Sequence, residues 1–310
     1  MNLSIVIPSR GNWSRLKFTL NALCEQAVPS GIYWEVIIVF DGVSPADNFV
    51  DQTFSSRHRY LPLPRQRGRG AARNTGIAEA QGEFVILLDE DVVVGPGFLA
   101  AHLSQQEESP GLCHGPLREL PALAWVEDLT RPWTSAESDA IPPTRIRDWA
   151  LRVLQDLEEP ALCYQKHGRV SRLERDGMKA FRQGREAVAW VAFAGANLSA
   201  PRRWLIECGF DERTGARWGL EDLSLALRWN LANRPLSVAD DAWGLHLSHT
   251  RRGWRAEQRA NLCCLDFLPQ DVALAVLTYL EGKITLDDLE PALESFTSGH
   301  RRLDESSGLS

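Results

Sequence analysis

Along the first hundred positions, short apolar runs alternate with stretches of helical period, which predicts a doubly wound α/β sheet. Residues 3–7 are an apolar run ended by Pro8, suited to a buried parallel strand. Residues 34–40 form a second, β-branched run stopped by Asp41-Gly42, and residues 84–88 a third that ends directly at Asp89. Between the first two, Leu16, Leu20 and Leu23 recur at helical spacing after a cap at Asn12 or Ser14. Between the second and third, residues 70–80 are Ala-rich and helix-prone. Pro8-Ser9-Arg10, Asp41-Gly42 and Asp89-Glu90-Asp91 therefore each follow the C-terminal end of a strand, where open α/β sheets place their ligand crevice.

The pattern loosens over residues 115–186, where Pro116, Pro121, Pro132, Pro142 and Pro143 interrupt it. Residues 146–157 read as one helix, and the highly charged stretch 174–186 as mobile. This region is expected to be an insertion over the crevice that shapes acceptor choice. Residues 187–198 read as a strand, 202–207 as a helix, and 220–230 as a helix with Glu221 and Asp222 in its first turn. Residues 269–296 hold two amphipathic helices that could pack on the core or form a homo-oligomer, and residues 299–310 look frayed. The organisation implied is a nucleotide-binding half (1–114), an acceptor-side insertion (115–186), a second half of the same domain (187–265) and a helical tail (266–310).

Composition narrows this picture. With 310 residues, 44% hydrophobic and 24% charged, the chain is an ordinary globular one. A net charge of −7 argues against a broad nucleic-acid surface. No apolar run is long enough to be a transmembrane segment, and the N-terminus lacks the basic start of a signal peptide, so a cytoplasmic protein is expected. The six cysteines, at 24, 113, 163, 208, 263 and 264, contain no C-x-x-C pair and read as reduced, mostly buried thiols.

Several residues could carry chemistry. In Asp89-Glu90-Asp91, alternating side-chain directions let the two aspartates face one way and Glu90 another. Two carboxylates so placed could hold a hard divalent ion that also contacts a diphosphate; an acidic turn capping the next helix is the alternative. Residues 67–76 set Arg67, Arg69 and Arg73 among glycines, which suits phosphate contacts or a basic surface loop. Arg73 stands where a dinucleotide fingerprint needs its third glycine, so a nicotinamide site is disfavoured. Glu221-Asp222 is favoured by the helix dipole alone, and equally suits a general base for a hydroxyl nucleophile. His246 and His249, spaced by three, end an apolar segment and read either as core or surface residues or as metal ligands; imidazole ligands would shift the expected ion from Mg²⁺ toward Mn²⁺. Trp190, Trp218 and Trp254 lie near these motifs and could stack on a sugar ring.

The motifs Ser4-Ile5-Val6-Ile7-Pro8-Ser9-Arg10, Val39-Phe40-Asp41-Gly42, Ala71-Ala72-Arg73-Asn74-Thr75-Gly76 and Leu87-Leu88-Asp89-Glu90-Asp91 resemble, in that order, the GT-A glycosyltransferases of family 2. Phe193-Ala194-Gly195-Ala196-Asn197-Leu198-Ser199 and Trp218-Gly219-Leu220-Glu221-Asp222-Leu223 match its acceptor-side motifs. These two are also similar to the C-terminal motif of β-1,4-galactosyltransferases and chondroitin polymerases. The resemblance runs from about residue 3 to 250 and implies an α/β GT-A fold, a mostly parallel Rossmann-like sheet flanked by helices. It implies that Pro8 and Arg10 border the nucleotide, Asp41 reads uracil, Arg73 lies against the base or diphosphate, and Asp89 faces ribose and sugar. Asp91 with His246 or His249 would hold the metal, Asp222 would be the base, and Glu221, Trp218 and Asn197 would meet the acceptor. Phe40 stands where the family more often has a second acid, which leaves the choice of base open. The expected activity is inverting transfer of a hexose from a UDP-sugar to an acceptor hydroxyl, with Mn²⁺ or Mg²⁺. A retaining transferase, a sugar-phosphate nucleotidyltransferase and an inactive binding module are the competing readings. Residues 250–254 could order over the bound diphosphate.

Overall fold

The computed structural model describes residues 2–44, 57–130, 132, 144–193, 195–250 and 253–307, with side chains described as far as residue 296. Strand β1 (Asn2–Ser9) is buried from its second residue onward, as a strand covered on both faces must be. Val6 enters one core with Val39 and Ala72, while Leu3, Ile5 and Ile7 enter another with Leu16, Leu20 and Leu23. Helix α1 (Trp13–Cys24) thus covers one face and α2 (Arg69–Glu79) the other. Asn12 occupies the cap position of α1 without a side-chain bond, and Ser14 Oγ instead accepts from Leu129 N.

β1 pairs in parallel with β2 (Tyr33–Asp41) and with β4 (Phe84–Leu88), and β2 with β3 (His58–Leu63). β3 is a strand that the hydrophobic pattern does not announce. It lies at the sheet edge, where Pro62 and polar residues are tolerated because one row of backbone groups needs no partner. Then come β5 (Val92–Val94), α3 (Phe98–Glu108), β6 (Leu112–His114) and β7 (Leu117–Glu119), the last already within the stretch 115–186 expected to be an insertion.

There α4 (Thr144–Asp156), α5 (Pro160–Lys166) and α6 (Arg172–Arg182) follow one another. The stretch expected to be mobile includes most of α6, a capped helix: Ser171 Oγ accepts from Glu174 N, and Glu174, Met178 and Ala180 are buried. Its charges occupy one face and its apolar residues the other, so high charge here does not mean disorder. Pro142 and Pro143 lie outside the described residues.

The strand expected over 187–198 is instead α7 (Glu186–Ala189) and a 3₁₀ turn (Trp190–Ala192), with β8 only at Asn197–Pro201. Residues 188–193 are buried whichever way they face, and an apolar run of that kind does not distinguish helix from strand. α8 (Arg202–Cys208), α9 (Glu221–Leu231), β9 (Leu236–Val238), β10 (Gly244–His246) and α10 (Trp254–Ala260) complete the domain. The main sheet runs β3-β2-β1-β4-β8-β6-β9, mostly parallel, with β8 antiparallel to both neighbours. A small sheet, β5-β10-β7, stands beside it.

The tail helices α11 (Gln270–Leu280) and α12 (Leu286–Ser307) bury Val272, Val276, Tyr279, Leu289 and Leu293 in the same core as α9. That apolar face is used within the chain, and Arg185 fastens it through Asp287 and Glu290. The helix extends to Ser307 through most of the stretch read as frayed, whose last three residues lie outside the described ones. All six cysteines are free, three of them buried. Among the described residues, no helix is long and apolar enough to cross a membrane.

Candidate active site

The small sheet assembles a cluster from three distant segments. β10 lies between β5 and β7, with His246 in register with Val92 on one side and Glu119 on the other. Asp91, just before β5, has an Oδ2 that lies 3.3 Å from Nε2 of both His246 and His249. One donor atom from each of the three lies within 4.8 Å of the others. Glu119 Oε2 accepts from His246 Nδ1 at 2.7 Å and from Ser248 Oγ at 2.7 Å. Without an ion, burial opposes a charge on His246 but both carboxylates favour it. With one, a neutral imidazole donating through Nδ1 to Glu119 would offer Nε2 as a ligand, as metal-binding histidines commonly do. Burial opposes the charge on Asp91, but the two imidazoles outweigh it and hold the carboxyl below its ordinary range. One carboxylate and two oriented imidazoles fit a divalent ion such as Mn²⁺.

The strand ends adjoin this cluster. Glu90 accepts from Ser9 Oγ (2.6 Å) and from the backbone N of Arg10 and Asn12, so it shapes the loop after β1. Burial, only partly offset by those bonds, raises its carboxyl to about 7. Asp89 accepts from Arg73 Nη2 at 2.7 Å. Arg73 is wholly buried behind Asp89 and Glu221, away from the cavity. Of the arginines in residues 67–76, the one that reaches the cavity is Arg69, one turn earlier, 2.7 Å from Glu221 and 5.7 Å from the Trp218 ring. Burial opposes its charge, but Glu221 and Asp89 prevail and raise its pKa. Asp41 is also buried, with Oδ1 and Oδ2 taken by the backbone N of Arg67 and Gly68. Gly68 has φ +96° and comes so close to the Gly215 carbonyl that a side chain there would overlap it.

Asp222, in the first turn of α9, lines the same cavity as the strand ends. The turn before it carries two left-handed residues, Gly219 (φ +92°) and Leu220 (φ +74°); for a branched side chain such as leucine that conformation is strained. Three contacts hold the turn: Asn261 Nδ2 donates to the carbonyls of Trp218 (3.1 Å) and Gly219 (2.8 Å), and Glu257 accepts from Trp218 N (2.7 Å). Trp218 and Trp254 meet edge to face, centroids 6.1 Å apart.

Pro8, Arg10, Asp89, Asp91, Trp218, Asp222, His246 and His249 thus line one cavity of about 880 Å³. Five residues expected in the site do not line this cavity. Asp41 and Arg73 are placed as above. Glu221 faces Arg69 and Arg73 rather than the cavity, because the first turn of a helix points successive side chains in different directions. Asn197 is fully buried in β8, bonded to His102 and to the carbonyl of Ala242. Trp190 is likewise buried, its indole N–H on Ala187 O. Ala194 and the Arg251-Arg252 part of the expected loop lie outside the described residues. Glu119, Asn261 and Glu257 support the site without being singled out in the sequence, whereas Arg69 is one of the three arginines read there as suited to phosphate contacts. Arg69 lies four residues before Arg73 on the same helical face.

Residues 4–118 match the family model for glycosyl transferase family 2. Glycosyltransferase AglE of Haloferax volcanii is 32% identical over 92 residues, 29% of this chain and 30% of that protein. Matches to curated relatives span only 30% to 42% of those proteins' own lengths. S. aureus TarS 1-349, solved in complex with UDP-GlcNAc, has a TM-score of 0.54 at 15% identity, covering 91% of this chain and 72% of that one. The mannosyltransferase PcManGT from Pyrobaculum calidifontis, solved with GDP-Man and Mn²⁺, has a TM-score of 0.52 at 16% identity, covering 95% and 68%. The chain has the GT-A fold.

Proposed function

We propose that this chain, a family 2 GT-A glycosyltransferase by its N-terminal domain and fold, moves a hexose from a UDP-sugar to an acceptor hydroxyl with inversion. The observation that carries the reading is that a prospective metal cluster and a separate carboxylate, Asp222, line one cavity. Asp91, His246 and His249 would hold Mn²⁺ or Mg²⁺, whose chemistry is to neutralise charge on the departing diphosphate. Arg69 adds a cation in the same cavity, 2.7 Å from Glu221 and 3.7 Å from Asp89. Asp222 would take the proton of the acceptor hydroxyl as its oxygen bonds to the anomeric carbon; the bond from that carbon to the diphosphate breaks, and the nucleotide leaves with the electron pair.

PcManGT was solved with a guanosine donor and TarS with a uridine one, so donor choice is the open part of this reading. In this conformation both Asp41 oxygens serve the backbone, which leaves them bound elsewhere than on a base edge. A panel of UDP- and GDP-sugars, offered with candidate acceptors and followed by NMR of the product, tests base, sugar and stereochemistry together. Inversion from a UDP-hexose is expected. A product that retains the donor's anomeric configuration would remove Asp222 from the role of base.

A further inference from the structure

A second cavity, of about 570 Å³, adjoins the first, with Leu117 and Glu174 lining both. Arg118 of β7 and Arg175, Lys179 and Arg182 of α6 face it. The three α6 cations are spaced by four and three residues, which puts them on one helical face. Two carboxylates line it and both are engaged, Glu174 with His114 at 3.0 Å and Asp240 with Arg182 at 3.1 Å, while Arg175 pairs with the neighbouring Asp176 at 3.5 Å. Among the described residues, Arg118 and Lys179 pair with no carboxylate. Arg118 is held in place all the same: its guanidinium lies 4.1 Å over the Tyr164 ring and donates to the Tyr164 carbonyl at 2.9 Å.

A concave surplus of cations in a chain of net charge −7 runs against the bulk electrostatics. Like charges gathered in a concavity repel, and an anionic ligand relieves that repulsion. The volume suits a discrete small group, and a membrane surface or duplex would not enter it. The basin opens from the same strand, β7, that presents Glu119 to the metal cluster. We propose that it is an acceptor subsite for an acidic carbohydrate, binding a carboxylate, sulfate or phosphate on a sugar unit next to the one that reacts. The word acceptor rests on the transferase reading; the binding does not.

The test is fluorescence anisotropy with labelled hexagalacturonate and labelled maltohexaose, on wild type, Arg118→Ala and the exposed Lys179→Glu, with circular dichroism to confirm folding. The oligouronate is expected to bind wild type in a salt-sensitive way and each variant about tenfold more weakly, with maltohexaose indifferent to both changes. Equal binding of the two oligosaccharides, or oligouronate binding unmoved by both variants, would overturn the proposal. So would phosphatidylglycerol vesicles binding with the same sensitivity to Lys179→Glu, since the basin would then be a general anionic surface. Nucleotide release from donor alone is measured in parallel on wild type. If it is absent while the oligouronate still binds, the transferase reading fails and the glycan site stands.

Discussion

On the strand-end side of the main cavity, Asp89, Glu90 and Asp91 are cross-linked to arginines, backbone amides and imidazoles drawn from other segments. On the helix side, Asp222 stands at the end of a turn with two left-handed residues, held mainly from the segment 257–261. The first side is fixed by what its charged groups do to one another. The second is fixed by contacts to its backbone from a segment far along the chain. Pre-organisation of the strand-end side follows from its electrostatics, whereas the aim of Asp222 depends on packing behind it.

The largest difference between the two sides should appear in turnover. Asp222→Asn is expected to lower acceptor-dependent kcat by about a thousandfold with little change in donor KM, because a missing general base acts only in the transition state. A matching rise in donor KM would instead place Asp222 on the strand-end side of the chemistry.

Acid should loosen the strand-end side first. His102 Nε2 donates to Asn197, whose strand position lies opposite Leu88, and burial depresses the His102 pKa to about 4. A second proton would land on a buried Nδ1 with no partner. The unfolded chain takes up that proton near pH 6.5, so the stability is complete above about pH 6.5 and is lost as the pH falls toward 4, by roughly 3 kcal/mol. Urea unfolding at about pH 7 and about pH 4 should show this loss in wild type and much less of it in His102→Gln.

Smaller effects test the supports. Glu119→Gln is expected to weaken Mn²⁺ binding by about 10- to 100-fold, read by electron paramagnetic resonance, with the fold unchanged. Unaltered Mn²⁺ affinity would mean that His246 is oriented by its strand alone. Asn261→Ala should cost roughly 1–2 kcal/mol in thermal unfolding and lower kcat more than it raises donor KM, since it frees the turn that aims Asp222. Equal effects on both constants would undo the division between the two sides.

Much of this contrast is legible in the sequence. β1, β2 and β4 are readable because β-branched runs stop abruptly at polar residues, and their ends carry half the cavity. Asp222 is readable from Trp218-Gly219-Leu220-Glu221-Asp222, and His246 with His249 from their spacing. β3 is hidden because an edge strand tolerates Pro62 and shows no clean alternation. Glu119 is hidden because its partner lies 127 residues away along the chain. Choosing Arg73 over Arg69, or Glu221 and Asn197 as acceptor contacts, turns on which side of an element faces the cavity. A motif names the element without giving that rotation. The small sheet, built from one antiparallel and one parallel pairing of short strands, has no periodicity long enough to read.

The central claim is that Asp91, His246 and His249 hold an ion that serves nucleotide-sugar chemistry in the cavity shared with Asp222. The most direct measurement is nucleotide release from a UDP- and GDP-sugar panel, with Mn²⁺ and with chelator, by wild type and Asp91→Ala. Mn²⁺-dependent release from a UDP-hexose is expected of wild type, with its loss in both the chelated enzyme and Asp91→Ala. Release that persists undiminished in chelator, or in Asp91→Ala, would contradict the claim.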